Sequence, residues 1–145
     1  MLNTGQKPDP IKQRFTLPNE VYSLGLSAAE IVIYGYLLYR ENRKTSQCWP
    51  SYTTIGEAVR LSPKTVKKYV AELVDKKLIT TEHTTVITKD GRKQNGTLLY
   101  TILPIQEAVD EYHRRQMVQL EKEAARRRAQ EKLNEYDRKH PKPAA

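Results

Sequence analysis

The stretch WPSYTTIGEAVRLSPKTVKKYVAELVDKKLI, residues 49–79, contains two helix starts separated by one tight connection. After the extended Trp49-Pro50 step, Ser51 is the preferred N-cap of a short helix, and Thr54 with Glu57 forms a competing capping box that would start it later. Either start puts Ile55, Ala58 and Val59 on a common face and ends the helix near Arg60. Leu61 occupies the connection. Ser62-Pro63 then opens a second helix with a cap and a proline at the first helical position, where its missing amide hydrogen costs nothing.

Within this second helix Val66, Tyr69, Val70 and Leu73 form an apolar stripe at helical spacing. A rotation of about 100° per residue puts Lys64, Lys68, Ala71 and Asp75 on the opposite side and Lys67 on the flank. One face is built for burial and the other carries cations. From Arg60 to Lys77 six cationic residues stand against Glu72 and Asp75, a local balance of +4.

Upstream, Ser27 and Glu30 fit a capping box, and Leu26 is placed to staple onto Ile31. In the helix that follows, Ala28, Ile31, Tyr34, Gly35 and Leu38 share a face while Ile33, Tyr36 and Leu37 populate others, so it must be covered from several directions or lie in a homodimer interface. The polar run from Arg40 to Gln47 ends it. Phe15 and Leu17-Pro18 are placed to tack the preceding segment onto the core.

Downstream, Leu78 to Thr88 and Thr97 to Leu103 are rich in Thr, Ile, Val and Leu and predict two antiparallel strands. Their connection holds two turn pairs, Asp90-Gly91 and Asn95-Gly96, either of which can close the hairpin. Arg92 and Lys93 make its tip basic. After Pro104 a helical pattern runs to about Lys139, before His140-Pro141 stops it. Its early stripe of Ile105, Ala108, Val109 and Tyr112 is a second candidate dimer surface, but a heptad continued from Ile105 meets Gln119 and Arg126 at core positions, which argues against a long coiled coil. Asp110 with Arg114, Glu111 with Arg115, Glu123 with Arg127 and Glu135 with Lys139 suit a solvated helix.

The fold class that follows is mainly α with a small β-hairpin, a winged helix-turn-helix plus a long C-terminal helix. Its expected organisation is a flexible N-terminal arm over 1–14, a winged helix-turn-helix DNA-binding domain over 15–103, a long charged helix over 104–139 and a disordered tail over 140–145.

Composition narrows the function. The chain of 145 residues carries 25 Lys and Arg against 17 Asp and Glu, a net charge of +8, which favours a polyanionic partner. The single cysteine, Cys48, cannot form an internal disulfide or a cysteine-rich zinc site, and it reads as an incidental buried thiol. That usage, with neither a signal-peptide pattern nor an apolar run long enough to span a bilayer, points to a cytoplasmic protein that does not enter membranes. His83, His113 and His140 are widely separated, and no HExxH motif or glycine-rich phosphate loop occurs. No enzymatic chemistry and no cofactor or metal is expected.

Residues 49–79 resemble the helix-turn-helix signature of winged-helix domains in bacterial plasmid, phage and transposon proteins, especially the N-terminal domains of replication initiators and related small regulators. The matching positions are Ile55, Gly56, Leu61-Ser62, Thr65-Val66, Leu73 and Leu78-Ile79, and the upstream FTLPNEVYSLGLSAAEIVIYGYL is similar as well. The similarity covers about Phe15 to Leu103. It departs at Arg60 and Lys77, where glycine is common; a non-glycine residue holding a left-handed turn at Arg60 costs about 1 kcal/mol. The resemblance implies double-stranded DNA as partner, with the helix after Ser62 in the major groove and the Asp90-Gly91 hairpin as wing, in transcription regulation or in DNA replication of a mobile element.

The expected DNA-binding residues are Tyr52, Thr53, Ser62, Lys64, Thr65, Lys67, Lys68, Arg92 and Lys93. Ser62 and Thr65 have capping as a competing role, and Tyr52 has packing. Trp49 reads as a core or hinge residue rather than a base-stacking platform. Arg126-Arg127-Arg128 cannot form one flat patch, because consecutive helical side chains diverge. The competing function is a protein-interaction module that recruits a replication or transcription partner through the apolar first helix and the C-terminal helix.

Overall fold

The computed structural model describes residues 13–143, so residues 1–12 of the expected arm and 144–145 of the expected tail lie outside it. Its elements are α1 (Ala28–Arg40), β1 (Gln47–Cys48), α2 (Tyr52–Val59), α3 (Pro63–Asp75), β2 (Ile79–Ile87), β3 (Lys93–Ile102) and α4 (Ile105–Lys139), with a 3-10 turn over Asn19–Ser23 before α1. The chain divides into two units, Met1–Val109 and Asp110–Ala145.

Local chemistry sets the helix starts. Ser27, Ser51 and Ser62 each accept a hydrogen bond from the backbone N–H three residues on, which satisfies one of the amides that the first turn leaves without a partner. Ser51 thus prevails over Thr54 as the cap of α2.

The helix ends are set by left-handed residues. Arg60 has φ 63° and ψ 41°, and the Leu61 N–H reaches back to the Gly56 carbonyl at 2.9 Å. At the end of α3, Lys77 has φ 61° and the Leu78 N–H reaches the Leu73 carbonyl at 3.1 Å. Both bonds have the span of a Schellman motif, in which glycine normally takes the left-handed place. The two departures noted in the sequence therefore keep the backbone conformation that glycine would relax.

Gly56 meets a separate requirement. A Cβ built there would collide with the Leu61 carbonyl oxygen, so α2 closes onto the turn only because that position has no side chain. Ile55, Val66, Val70 and Leu73 are buried in the resulting core with Ile33, Tyr34 and Leu37 of α1, with Leu78 just before β2, and with Ile79, Tyr100 and Ile102 of the sheet. Ala58, expected on the buried face of α2, is exposed, because Gly56 lies against the turn and draws that side of the helix inward.

The buried face of α1 is Ile33, Tyr34, Gly35 and Leu37, with Ile31 and Leu38 half-buried at its edges. It is turned from the expected face because α2 and α3 both pack on it. Phe15 and Leu17 approach Gly35, and Phe15 tilts against Tyr39 at 6.0 Å, so these two residues do tack the upstream segment to α1. Val32 and Tyr39 remain exposed.

Glu30 does more than cap. It is 2% exposed, receives the Ser27 hydroxyl at 3.1 Å, and pairs with the Lys76 ammonium at 2.7 Å, joining the start of α1 to the end of α3. Burial pushes its carboxyl up, but hydrogen bonds from Lys76, Glu72 and Ser27 outweigh it and hold the group below the usual carboxylate range. Glu72 is pushed up by its shared hydrogen bond with Glu30.

The sheet has three antiparallel strands in the order β1-β3-β2, one more than the sequence predicts. The addition is β1, where Gln47 pairs with Thr101 and Cys48 with Tyr100. Its extended backbone alternates, so Cys48 and Pro50 are buried and Trp49 is 63% exposed. Of the core or hinge role expected for Trp49, this exposure excludes the core. Cys48 donates to the Leu37 carbonyl, and burial pushes its thiol up to about 11.

Asp90-Gly91 closes the hairpin. Gly91 N–H bonds the Thr88 carbonyl, Thr88 N–H bonds the Arg92 carbonyl, and Gly91 has φ 77°, the pattern of a three-residue loop ending in a left-handed glycine. Consequently β3 begins at Lys93 and not at Thr97. Asn95-Gly96 lies inside the strand and forms a bulge: His83 pairs with Leu98 and Thr85 with Asn95, leaving Gly96-Thr97 opposite Thr84. A Cβ on Gly96 would run into the Thr84 and Val86 side chains, and the Thr84 hydroxyl donates to the Thr97 carbonyl.

In the second unit, α4 continues from Asp110 as a charged helix. Glu111 accepts from Arg114 at 2.6 and 3.0 Å and from Arg115 at 2.9 Å, bonds that hold its carboxyl down at about 2. Lys139 pairs with Glu135 at 3.2 Å. Met117, Val118, Leu120, Leu133 and Tyr136 are exposed. Among the described residues no helix is long and apolar enough to cross a membrane.

Gly56→Ala should destabilise the fold by about 1–3 kcal/mol in chemical denaturation through overpacking, while Glu57→Ala beside it stays within about 0.5; Arg60→Gly and Lys77→Gly should each stabilise by about 1. Lys76→Ala should cost about 1–3 kcal/mol near neutral pH by unpairing a buried carboxylate. Because Glu30 titrates below its unfolded value, that loss should be full above the ordinary carboxylate range and shrink as pH falls through it, which denaturation at a series of pH values will measure.

Candidate nucleic-acid interface

The face of α3 turned away from Val66, Val70 and Leu73 carries Lys64 and Lys68, with Lys67 on the flank, and all three are exposed. This division follows from helical spacing, since the buried positions recur every three or four residues and the lysines fall between them. Lys68 holds its ammonium 5.3 Å from the Tyr69 ring centre, which steadies it at the border of the two faces.

Ser62 and Thr65 stand at the start of α3. The Ser62 oxygen accepts from the Thr65 N–H at 3.2 Å while its hydroxyl donates to the Thr65 hydroxyl oxygen at 2.8 Å. Ser62 is thus committed to the cap. The Thr65 hydroxyl keeps its own proton to donate, and Thr65 is half-buried.

Tyr52 and Thr53 open α2. Thr53 is exposed, whereas Tyr52 is half-buried and burial pushes its hydroxyl up. Tyr52 and Lys67 come together on a cleft of about 350 Å³, whose other walls are Ser51 and the β2 and β3 residues His83, Asn95, Gly96, Thr97, Leu98 and Tyr100. Arg92 follows the hairpin turn and Lys93 begins β3 opposite Ile87, and both are exposed. Apart from Thr53, which stands exposed at the start of α2, the expected site residues fall into three groups: the lysine face with the α3 start, the cleft, and the hairpin tip. His83 and Asn95 were not expected at the site. Their arrival depends on strand register and on the bulge, neither of which has a local sequence signal.

Among the described residues no group of three or more His, Cys, Asp or Glu is placed to hold a metal ion. The cations of α3 and of the hairpin suit contact with anions, and a helix projecting one polar face fits the width of a DNA major groove.

The family described as "Helix-turn-helix domain" matches residues 24–79, the span from the residue before Gly25 to the first residue of β2. This match is to a non-enzymatic module. Solved structures similar to the chain include a possible transcriptional regulator from Methanosarcina mazei Go1, at 16% identity over 72% of this chain and 82% of that one, with a TM-score of 0.48. The YusO protein of Bacillus subtilis is similar at 17% identity over 80% and 79%, with a TM-score of 0.39. A probable transcriptional regulator from Pseudomonas aeruginosa is similar at 19% identity over 79% and 84%, with a TM-score of 0.37. No curated protein matches the chain.

Because its hydroxyl is spent on the helix start, Ser62→Ala should lower stability by about 0.5–2 kcal/mol. Thermal melting will measure the loss. The control Ser62→Asp, which restores a capping oxygen, should recover most of it.

Proposed function

We propose that the chain binds double-stranded DNA as a regulator, with α3 in the major groove and the β2–β3 hairpin as the wing beside it. The observation that carries this reading is the exposed Lys64, Lys67 and Lys68 face on a helix whose opposite side is locked in the core by Val66, Val70 and Leu73. A rigidly held helix presents its cations in a fixed register, which groove reading requires, while Arg92 and Lys93 lie where phosphates would be met.

In this reading Lys64, Thr65 and Lys68 face base edges or the bordering phosphates. Tyr52, Thr53 and Lys67 meet the backbone, and Ser62 holds the helix start. The sequence resemblance to replication initiators and small regulators of plasmids, phages and transposons supports a place in a mobile element, in transcription control or as a replication accessory. The setting is cytoplasmic. Exposed Val32 and Tyr39 on α1 support homodimerisation, and two copies would present their α3 helices to half-sites about 34 Å apart on B-form DNA.

A binding site selected from genomic fragments permits the test. Lys64→Ala and Lys68→Ala should cost about 1–3 kcal/mol of discrimination between the selected duplex and a scrambled one wherever they read a base. Arg92→Ala should weaken both duplexes alike and lower the magnitude of the salt slope by about one. Small, equal effects for all three, with affinity following Arg126, Arg127 and Arg128 instead, would move the surface to α4 and defeat the assignment.

A further inference from the structure

The cleft between α2, α3 and the hairpin is lined by polar groups of one character. Tyr52 brings a hydroxyl, Lys67 an ammonium, His83 an imidazole and Asn95 an amide, while the Ser51 hydroxyl is engaged with Thr54 at the α2 cap, and among the described residues lining it there is no carboxylate. Each of these groups can donate a hydrogen bond, and Lys67 adds full positive charge. Leu98 and the buried Tyr100 form an apolar floor that thins the water around any group seated there.

The strand geometry behind this cleft is specific. In a regular strand Asn95 and Leu98, three positions apart, would point to opposite faces of the sheet. The extra residue at Gly96-Thr97 reverses that parity, so Asn95 and Leu98 line the same cleft, and Leu98 sits directly across from His83. The bulge is held by the Thr84 hydroxyl on the Thr97 carbonyl and needs glycine at position 96. A bulge next to a site characteristically re-aims a side chain, and here the re-aimed side chain is Asn95.

We infer that this cleft seats one phosphate of the DNA backbone, held by Lys67 and the Asn95 amide with Tyr52 and His83 beside them. The inference rests on the DNA-binding reading and adds His83 and Asn95 to its contacts. An isolated anion needs donors and charge without a competing carboxylate, which is the composition of this cleft. The position between α3 and the hairpin is also where a strand bordering the major groove would pass if α3 lies in that groove. The seat fixes how deep α3 enters, so it acts on register and affinity and not on base choice.

The test uses the full chain and duplexes of the selected site carrying one neutral methylphosphonate, moved along each strand in turn. One position should weaken wild-type binding about tenfold, as loss of a charge-assisted hydrogen bond would. The nearly isosteric Asn95→Asp should weaken binding to the unmodified duplex about tenfold and recover to within about twofold of wild type on the duplex neutralised at that position. Lys67→Gln should be insensitive to the same modification.

If wild type and Asn95→Asp respond alike at every position while Lys64→Ala still loses discrimination, the cleft assignment falls and the DNA-binding reading stands. If the wild type binds no duplex, both fall. Inorganic phosphate titrated into the free protein, followed by the NMR signals of the Asn95 amide, separates the two sources of a phosphate group. Saturation at submillimolar phosphate without the duplex rescue would make this a site for a free anion and overturn the backbone assignment.

Discussion

The close approach of Gly56 to the Leu61 carbonyl governs the geometry of the molecule's central turn. With any side chain at position 56 the end of α2 would stand away from the turn, and the start of α3 would move with it. Because that space is filled by backbone alone, Ile55 and Val66 enter the same core and Ser62 falls where its oxygen can cap α3. The lysine face then points outward as a consequence of what is buried behind it. Tyr52, at the other end of α2, is carried to the flank of α3, where it shares a cleft with Lys67.

Around this contact the chain tolerates strain at two matched places. Arg60 and Lys77 both hold left-handed conformations, and each closes a helix through a bond spanning five residues. Glycine would hold these turns with less strain, so each of the two cations keeps its place at a conformational cost of about 1 kcal/mol. The Glu30 to Lys76 pair takes one lysine out of the basic surface and uses it to tie α1 to the end of α3.

Much of this was legible in the sequence because it is local. Ser27, Ser51 and Ser62 announce their helices through residues within one turn, and the stripe of Val66, Val70 and Leu73 identifies its buried side by spacing alone. What escaped is long-range. β1 is two residues long and exists only because Thr101 and Tyr100 lie alongside it, and no periodicity can mark so short a strand. Trp49 reads by type as a core or hinge residue, but the alternation that β1 imposes turns it out of the core. Asn95-Gly96 has the composition of a turn; with Asp90-Gly91 already closing the hairpin, the same residues become a bulge. His83 and Asn95 reach the cleft only through that register. The lysines of the candidate interface could therefore be named from sequence, whereas the cleft beside them could not.

The central claim is that α3 and the hairpin form the DNA surface of this chain. It is tested most directly by following backbone amide NMR signals as the selected duplex is added. The account predicts the largest changes from Ser62 through Tyr69, at Tyr52 and Thr53, and from Arg92 through Leu98, with little change from Arg114 to Lys139. Changes concentrated on the arginines of α4 or on the exposed side of α1, with α3 and the hairpin silent, would contradict it.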